Sequence, residues 1–186
     1  ILPQRLPKGS VVLVTNYFGL CTSRVKDIAK KYNGQVILDN AQAFFSPPLS
    51  NALGCFYSPR KFFGLPDGGL AVSKNIEPNS YRALKTDIAW DRANHLLIRK
   101  DLSAEKGYEV YKLNEKLMAD RETMKMSKLS EAILRSVDFE LVKKKRRENY
   151  CYLQSKLKTE NELTINLPLN ENVPLVYPFA SRNAVQ

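Results

Sequence analysis

Histidine is nearly missing from this chain: His95 stands alone among 186 residues. The three cysteines, Cys21, Cys55 and Cys151, are odd in number and widely spaced, with no C-x-x-C pair. Such a set neither staples a small secreted fold with disulfides nor, with one histidine to help it, holds a structural zinc. Long apolar runs are missing too; nothing approaches the roughly 18 consecutive residues that cross a bilayer. Ile1 to Ser10 contains two prolines and the charges of Arg5 and Lys8 where a secretory signal would carry its apolar stretch. These absences lead to the expectation of a cytoplasmic protein without membrane contact. There is no internal repeat and no low-complexity tract.

What is present is an ordinary globular composition, 44% hydrophobic and 26% charged, sufficient to bury a core and incompatible with disorder throughout. The formal net charge of +10 would suit an anionic partner. The basic residues are spread along the chain apart from one run, Lys143 to Arg147. That run lies in a helical pattern (Phe139, Val142, Arg146, Tyr150, Leu153) and reads as a solvated helix face. Without interleaved aromatic and basic residues on one face, a nucleic-acid or partner-binding module rests on charge alone. The first residue is not Met, and the chain stops just after Val173 to Phe179, an apolar stretch that reads as a newly started strand. The expectation is a piece of a longer protein, cut at both ends.

Val11 to Thr15 is a short β-branched run of the kind found in buried parallel strands. A helix follows over Arg24 to Tyr32, with Val25, Ile28 and Ala29 on one face. Asn33-Gly34 stops it before a second buried strand, Gln35 to Asp39. Together they form a βαβ unit of an α/β fold. Further strands are expected at Gly54 to Tyr57 and Gly69 to Ser73, around the Pro- and Gly-bearing stretch Ser58 to Gly68. From about Ser80 the pattern becomes helical, with helices expected at Ala104 to Ala119, Ser127 to Ser136 and Glu140 to Lys158 and interruptions near Lys100-Asp101, Gly107 and Thr123. The polar run Thr159 to Glu162 with Pro168 and Pro174 marks a domain boundary.

Asp39 falls at the carboxyl end of a buried parallel strand, where open α/β sheets bind ligands. A lone aspartate there is also a common turn former or helix cap. Lys61 lies twenty-two residues on, in Cys55-Phe56-Tyr57-Ser58-Pro59-Arg60-Lys61-Phe62-Phe63-Gly64. Alone, it reads as a lysine laying its stem over apolar surface. As a pair they fit one chemistry: a lysine that joins an aldehyde must be partly desolvated, and a protonated pyridine needs an anion beside its nitrogen. Gln42 could bond a polar ring substituent, while Ser58 and Arg60 offer donors to a phosphate. The turn Pro66-Asp67-Gly68-Gly69 brings the chain straight back into a strand. His95, in Asn94-His95-Leu96-Leu97-Ile98, reads as a half-buried helix residue, and Phe44, Phe45, Tyr57, Phe62 and Phe63 as mostly core, one or two of them lining a pocket.

The segments Val36-Ile37-Leu38-Asp39-Asn40-Ala41-Gln42-Ala43, Phe56 to Gly64 and Asp67-Gly68-Gly69 together resemble the DegT/DnrJ/EryC1/StrS family of pyridoxal-phosphate (PLP) sugar aminotransferases. Lys125-Met126-Ser127-Lys128-Leu129-Ser130-Glu131 and Arg146-Arg147-Glu148-Asn149-Tyr150 resemble the family's segments before and at its interdomain helix. The resemblance implies an aspartate aminotransferase type fold: the C-terminal part of the PLP-binding large domain over 1–137, an interdomain helix over 138–160, and the beginning of a small α+β domain over 161–186. It implies a homodimer with shared active sites that moves an amino group from an amino acid, glutamate in the first instance, to a keto-sugar nucleotide.

Carried over by position, Asp39 would hold the pyridinium nitrogen, Gln42 would contact the ring or its 3-hydroxyl, and Lys61 would link to the cofactor and later shuttle the proton. Where the family has a phosphate-binding serine five residues before the lysine, this chain has Phe56; Ser58 supplies the nearest hydroxyl. A polar Asn and Arg pair given by the second subunit falls on Thr123 and Lys125, so Lys125 is the expected cross-subunit contact. These departures motivate an alternative, a PLP-binding homologue with altered chemistry, such as sugar dehydration, or with a regulatory role and no chemistry. The family's upstream Gly- and Thr-rich phosphate loop is not in this sequence, so the fragment by itself is expected to be inactive.

Overall fold

A computed structural model describes residues 2–119, 121–163, 168–169 and 171–181. Where the sequence concentrates Val, Ile and Leu, it forms the strands β1 (Val12–Thr15) and β2 (Val36–Asp39). These pair in parallel with Val12 opposite Val36 and Thr15 opposite Asp39. Strand β3 (Gly54–Tyr57) is parallel to β2, with Leu38 opposite Cys55 and Asp39 opposite Phe56. Strand β4 (Leu70–Ser73) lies beyond β3, giving a mixed sheet of order β1-β2-β3-β4 flanked by helices. The fold class is α/β. Two compact units divide the chain: Ile1–Tyr57 with Ala71–Ser73 and Asp138–Gln186, and Ser58–Leu70 with Lys74–Val137.

In the first unit, helix α1 (Thr22–Lys31) presents Val25 and Ala29 to the sheet. With Tyr32 they close over Val36, Leu38, Cys55 and Tyr57, and Leu38 keeps only 1% of its surface in contact with solvent. The strand period of two sends those side chains to one face and Leu13, Ile37, Asp39 and Phe56 to the other. On that second face Leu13 (59%) and Phe56 (38%) are exposed. Burying a leucine such as Leu38 contributes about 2 kcal/mol, so α1 and the first face of the sheet hold each other in place.

Helix α6 (Phe139–Leu157) starts at Asp138, whose side chain accepts a hydrogen bond from Leu141 N. The basic run on α6 is not simply a solvated face. Lys144 and Lys145 are exposed beside Glu148, as expected. Arg146, in contrast, donates to Leu175 O and Arg147 to Asn172 O. The guanidinium reach of each arginine lets the run hold a neighbouring segment as well as meet water. Burial holds the pKa of Arg146 below its usual value.

The strand expected at Val173 to Phe179 does not form. The described residues there take irregular structure, with Asn172, Val173 and Pro174 buried. Pro174 and Pro178 have no N–H to give to a ladder, and the segment's bonds go elsewhere: Leu175 N donates to Phe18 O at 2.8 Å, and Asn161 Nδ2 donates to Tyr177 Oη and Pro178 O.

The second unit is mostly helical, with α2 (Pro78–Ala83), α3 (Asn94–Asp101), α4 (Ala104–Ala119) and α5 (Lys128–Ser136). Gly107, expected to interrupt the helical pattern, lies inside α4. A Cβ there would sit 2.7 Å from Arg99 Cβ and 2.9 Å from His95 O, so the glycine allows α4 to lie directly on α3. The start of α5 is fixed by Asp67, which is buried and accepts from Ser127 N (2.7 Å), Ser127 Oγ (2.6 Å) and Ser130 Oγ. Ser127 in turn caps the helix by accepting from Ser130 N. Arg92, 2% exposed, pairs with Asp87 at 2.6 Å. No helix among the described residues is long and apolar enough to cross a membrane.

Candidate functional site

Strand β2 ends at Asp39 because the chain turns there on its own side chain. Asp39 Oδ1 accepts from Ala41 N at 2.9 Å, a local turn that any aspartate can make. The other oxygen, Oδ2, has a single long contact, Thr15 Oγ1 at 3.4 Å, and keeps room for a further donor. The next residue, Asn40, is 1% exposed, and neither Oδ1 nor Nδ2 of its amide makes a hydrogen bond; the same holds for the buried Oε1 of Gln42. Three unsatisfied polar atoms within three residues of a strand's carboxyl end are unusual, because buried polar groups are otherwise nearly always paired. Tyr57 lies close by in β3. Burial pushes its phenol pKa up, and the hydrogen bond from Cys55 adds to the shift. The Tyr57 hydroxyl donates to Ser46 O at 3.0 Å.

The lysine segment belongs to the second unit, where Pro59–Lys61 forms a short 3-10 turn. Ser58 precedes it, but its hydroxyl caps no backbone N–H. Lys61 is exposed, and its ammonium makes no hydrogen bond or ion pair among the described residues. Both residues line a cavity of about 520 Å³. Its opposite walls come from α3, through His95 and Arg99, and from α4, through Tyr108, Tyr111 and Glu115. The spacings i, i+4 on α3 and i, i+3, i+7 on α4 put each set on one helical face, and the Gly107 contact brings the two faces together.

Within the cavity Arg60 is ion-paired with Glu115 and lies 5.9 Å from the centre of the Tyr111 ring. Its buried Nε has no partner. His95 places Nδ1 2.8 Å from Arg92 O and 3.3 Å from Asn114 Nδ2; the carbonyl, which only accepts, favours the tautomer with the proton on Nδ1. Burial holds the His95 pKa below its ordinary value, and the charges of Arg60 and Arg99 act in the same direction. Tyr111 is shifted upward by burial and by the neighbouring Glu115.

No protein-family model, curated protein or solved structure matches this chain.

Of the residues singled out from the sequence, Ser58 and Lys61 therefore share a cavity, and Asp39 and Gln42 share the end of β2. Lys125 lines neither place. It bridges to Thr86, and its Nζ donates to Arg82 O at 2.8 Å. Phe62 and Phe63 line the cavity, whereas Phe44 and Phe45 pack edge to face at 5.1 Å in the first unit. Arg99, Tyr108, Tyr111 and Glu115 carry no local motif. Their signal was the helical spacing from His95 and about Gly107, which becomes legible once α3 and α4 are paired. No group of three or more His, Cys, Asp or Glu among the described residues could hold a metal.

Proposed function

We propose that this chain is the lysine-bearing part of a PLP-dependent enzyme that transfers an amino group from an amino acid to a keto-sugar nucleotide. The observation that carries the proposal is the set of unsatisfied acceptors at the end of β2: Asn40 Oδ1, Gln42 Oε1 and the under-used Asp39 Oδ2. A cofactor with a protonated ring nitrogen and a ring hydroxyl offers donors of the kind these acceptors lack. The residues thus fit the group at Asp39 and Gln42, and the free Ser58 hydroxyl fits a phosphate.

PLP, when bound, supplies an electron sink for the bond broken at the substrate's amino-bearing carbon. The chain's own residues have the remaining work. Asp39 Oδ2 would accept the ring N–H, and its negative charge would favour the protonated nitrogen. Gln42 Oε1 would accept from the ring hydroxyl, and Ser58 Oγ would donate to a phosphate oxygen. Lys61 is the residue that would hold the cofactor through its amine and, when free of it, would carry a proton to and from the substrate. Its exposure here means that desolvation has to come with the bound ligands. In a homodimer, Lys125 would reach the cofactor only by leaving the Arg82 carbonyl.

Borohydride reduction of the protein loaded with PLP, followed by peptide mapping, tests this directly. A pyridoxyl group fixed on Lys61 is the expected result, and a label on another lysine removes the proposal. Phe56, in the place of the family's phosphate-binding serine, favours a second reading, PLP binding with altered chemistry. A labelled Lys61 with no glutamate-dependent amino transfer, but with loss of water from a sugar nucleotide, would select it.

A further inference from the structure

We infer that the cleft between α6 and the Pro174–Tyr177 segment, inside the first unit, binds a small carboxylate with an apolar body, its carboxylate on Arg146 and Tyr150 Oη. Arg146, Asn149, Tyr150 and Leu153 follow one another at i, i+3, i+4 and i+7, which puts them on a single face of α6. The Pro174–Tyr177 segment closes the other side, around a cavity of about 210 Å³. One water takes about 30 Å³ of the liquid, so the space suits a ligand of benzoate size and not a nucleotide. Among the described residues no serine, cysteine, lysine or histidine lines the cleft, which makes it a place for binding without reaction.

The deciding atom is Tyr150 Oη. The tyrosine is only 5% exposed, yet its hydroxyl has no hydrogen-bond partner among the described residues, a rare state for a buried polar group. Tyr177 shows the usual outcome: the two rings meet edge to face at 5.2 Å, and the Tyr177 hydroxyl accepts from Asn161 Nδ2 at 3.1 Å. Burial pushes the Tyr150 phenol pKa up, and Tyr177 acts in the same direction, so at neutral pH the hydroxyl has a proton to donate. Arg146 only donates; one of its N–H groups goes to Leu175 O at 3.2 Å, and a carbonyl leaves the charge of the guanidinium in place. No aspartate or glutamate among the described residues lines the cleft. Two donors, one of them cationic, call for a negatively charged acceptor, and a planar carboxylate offers an oxygen to each. One cation beside walls of Leu153, Pro174, Leu175 and Val176 suits a monoanion with an apolar body better than a strongly hydrated phosphate dianion.

None of these residues serves the cofactor reading, so this site and the labelling of Lys61 stand or fall separately. The probes are benzoate, benzyl alcohol, which lacks the charge, and acetate, which lacks the apolar body. Each is titrated into the protein and followed by the amide resonances of Tyr150 and Tyr177. Benzoate should bind at least tenfold tighter than either control, and Tyr150→Phe should weaken it by about tenfold, the loss of one charge-assisted hydrogen bond. Tyr150→Phe removes a hydroxyl that makes no bond in the protein, so the unliganded variant should melt no lower than the parent. Absence of benzoate binding, equal binding of either control, or undiminished binding by Tyr150→Phe overturns the inference. A lower melting temperature of unliganded Tyr150→Phe overturns it as well, because the hydroxyl would then already have a partner.

Discussion

Each of the two units of this chain is stabilised internally by its own means. The first has a continuous apolar core in which Val36 and Leu38 of β2 are sealed by Val25, Ala29 and Tyr32. The second buries few large apolar side chains, Phe62 and Leu65 foremost, and relies on enclosed polar contacts: Asp67 with Ser127 and Ser130, Arg92 with Asp87, and Asn114 with Asn94 and the Arg92 carbonyl. It also leaves Ile88, Trp90, Leu97, Leu113 and Leu117 exposed. Apolar burial is undirected and tolerant, whereas a buried carboxylate is favourable only while every partner is in place. The cavity that Lys61 lines lies in the polar-anchored unit, where fixed donors and acceptors are already the structural material.

The strongest way to break this contrast is Asp67→Ala, which strands three donors at the start of α5. It should cost about 4 kcal/mol, since each buried hydrogen bond to a charged group is worth about 1.5–3 kcal/mol and the losses overlap. Urea unfolding combined with hydrogen exchange of α5 gives the measurement. A loss below about 1 kcal/mol would mean that the second unit is not held by its polar anchors. Leu38→Ala probes the other side of the comparison. Its expected cost is about 3 kcal/mol, from lost transfer energy and the cavity left behind. The exchange protection lost should be that of β2 and α1, and protection lost first in α4 would contradict the division.

The smallest effect sharpens the contrast through pH. Burial and the charges of Arg60 and Arg99 depress the folded-state pKa of His95, so the unfolded chain binds more protons below about pH 6.5. Stability is therefore full above that pH and declines as pH falls through it toward the lower folded-state value. The slope corresponds to at most one proton. His95→Gln should flatten the decline, and the histidine ring resonances should titrate below the ordinary imidazole range in the folded protein. A titration above pH 6.5 would contradict this assignment.

Local periodicity made much of the fold legible. The boundaries of Gly54–Tyr57 and Ala104–Ala119 follow from the sequence at both ends, and β1, β2 and α6 fall within about a residue or two of the positions expected. Errors came where a residue's role depends on a distant partner. Val173 to Phe179 has a strand's composition, but its bonds go to Phe18, and Asn161 meets Tyr177 and Pro178. Arg146 and Arg147 sit in a run that looks solvated, yet each holds a carbonyl from another segment. Gly107 has the form of a helix breaker and acts as a contact between helices. The candidate site divides in the same way. Asp39 could be picked out because a strand's end is written locally, whereas the orphaned Asn40 amide and the wall formed by Arg99 and Tyr111 depend on packing that no single stretch encodes.

The stretch Asn172–Leu175 has no helix or ladder of its own, yet separate parts of the first unit close on it. Its neighbour Glu171 meets Lys26, Val173 O lies where a Cβ on Gly19 would come within 2.9 Å, Phe18 O receives Leu175 N, and two α6 arginines take its carbonyls. A protease needs a stretch of pliable chain to thread its active site, and exposed irregular segments usually provide one. This one is clasped from several sides, so cleavage there should wait for the unit to open as a whole. Irregular backbone here is a matter of shape, and its resistance to digestion should match that of the sheet beside it.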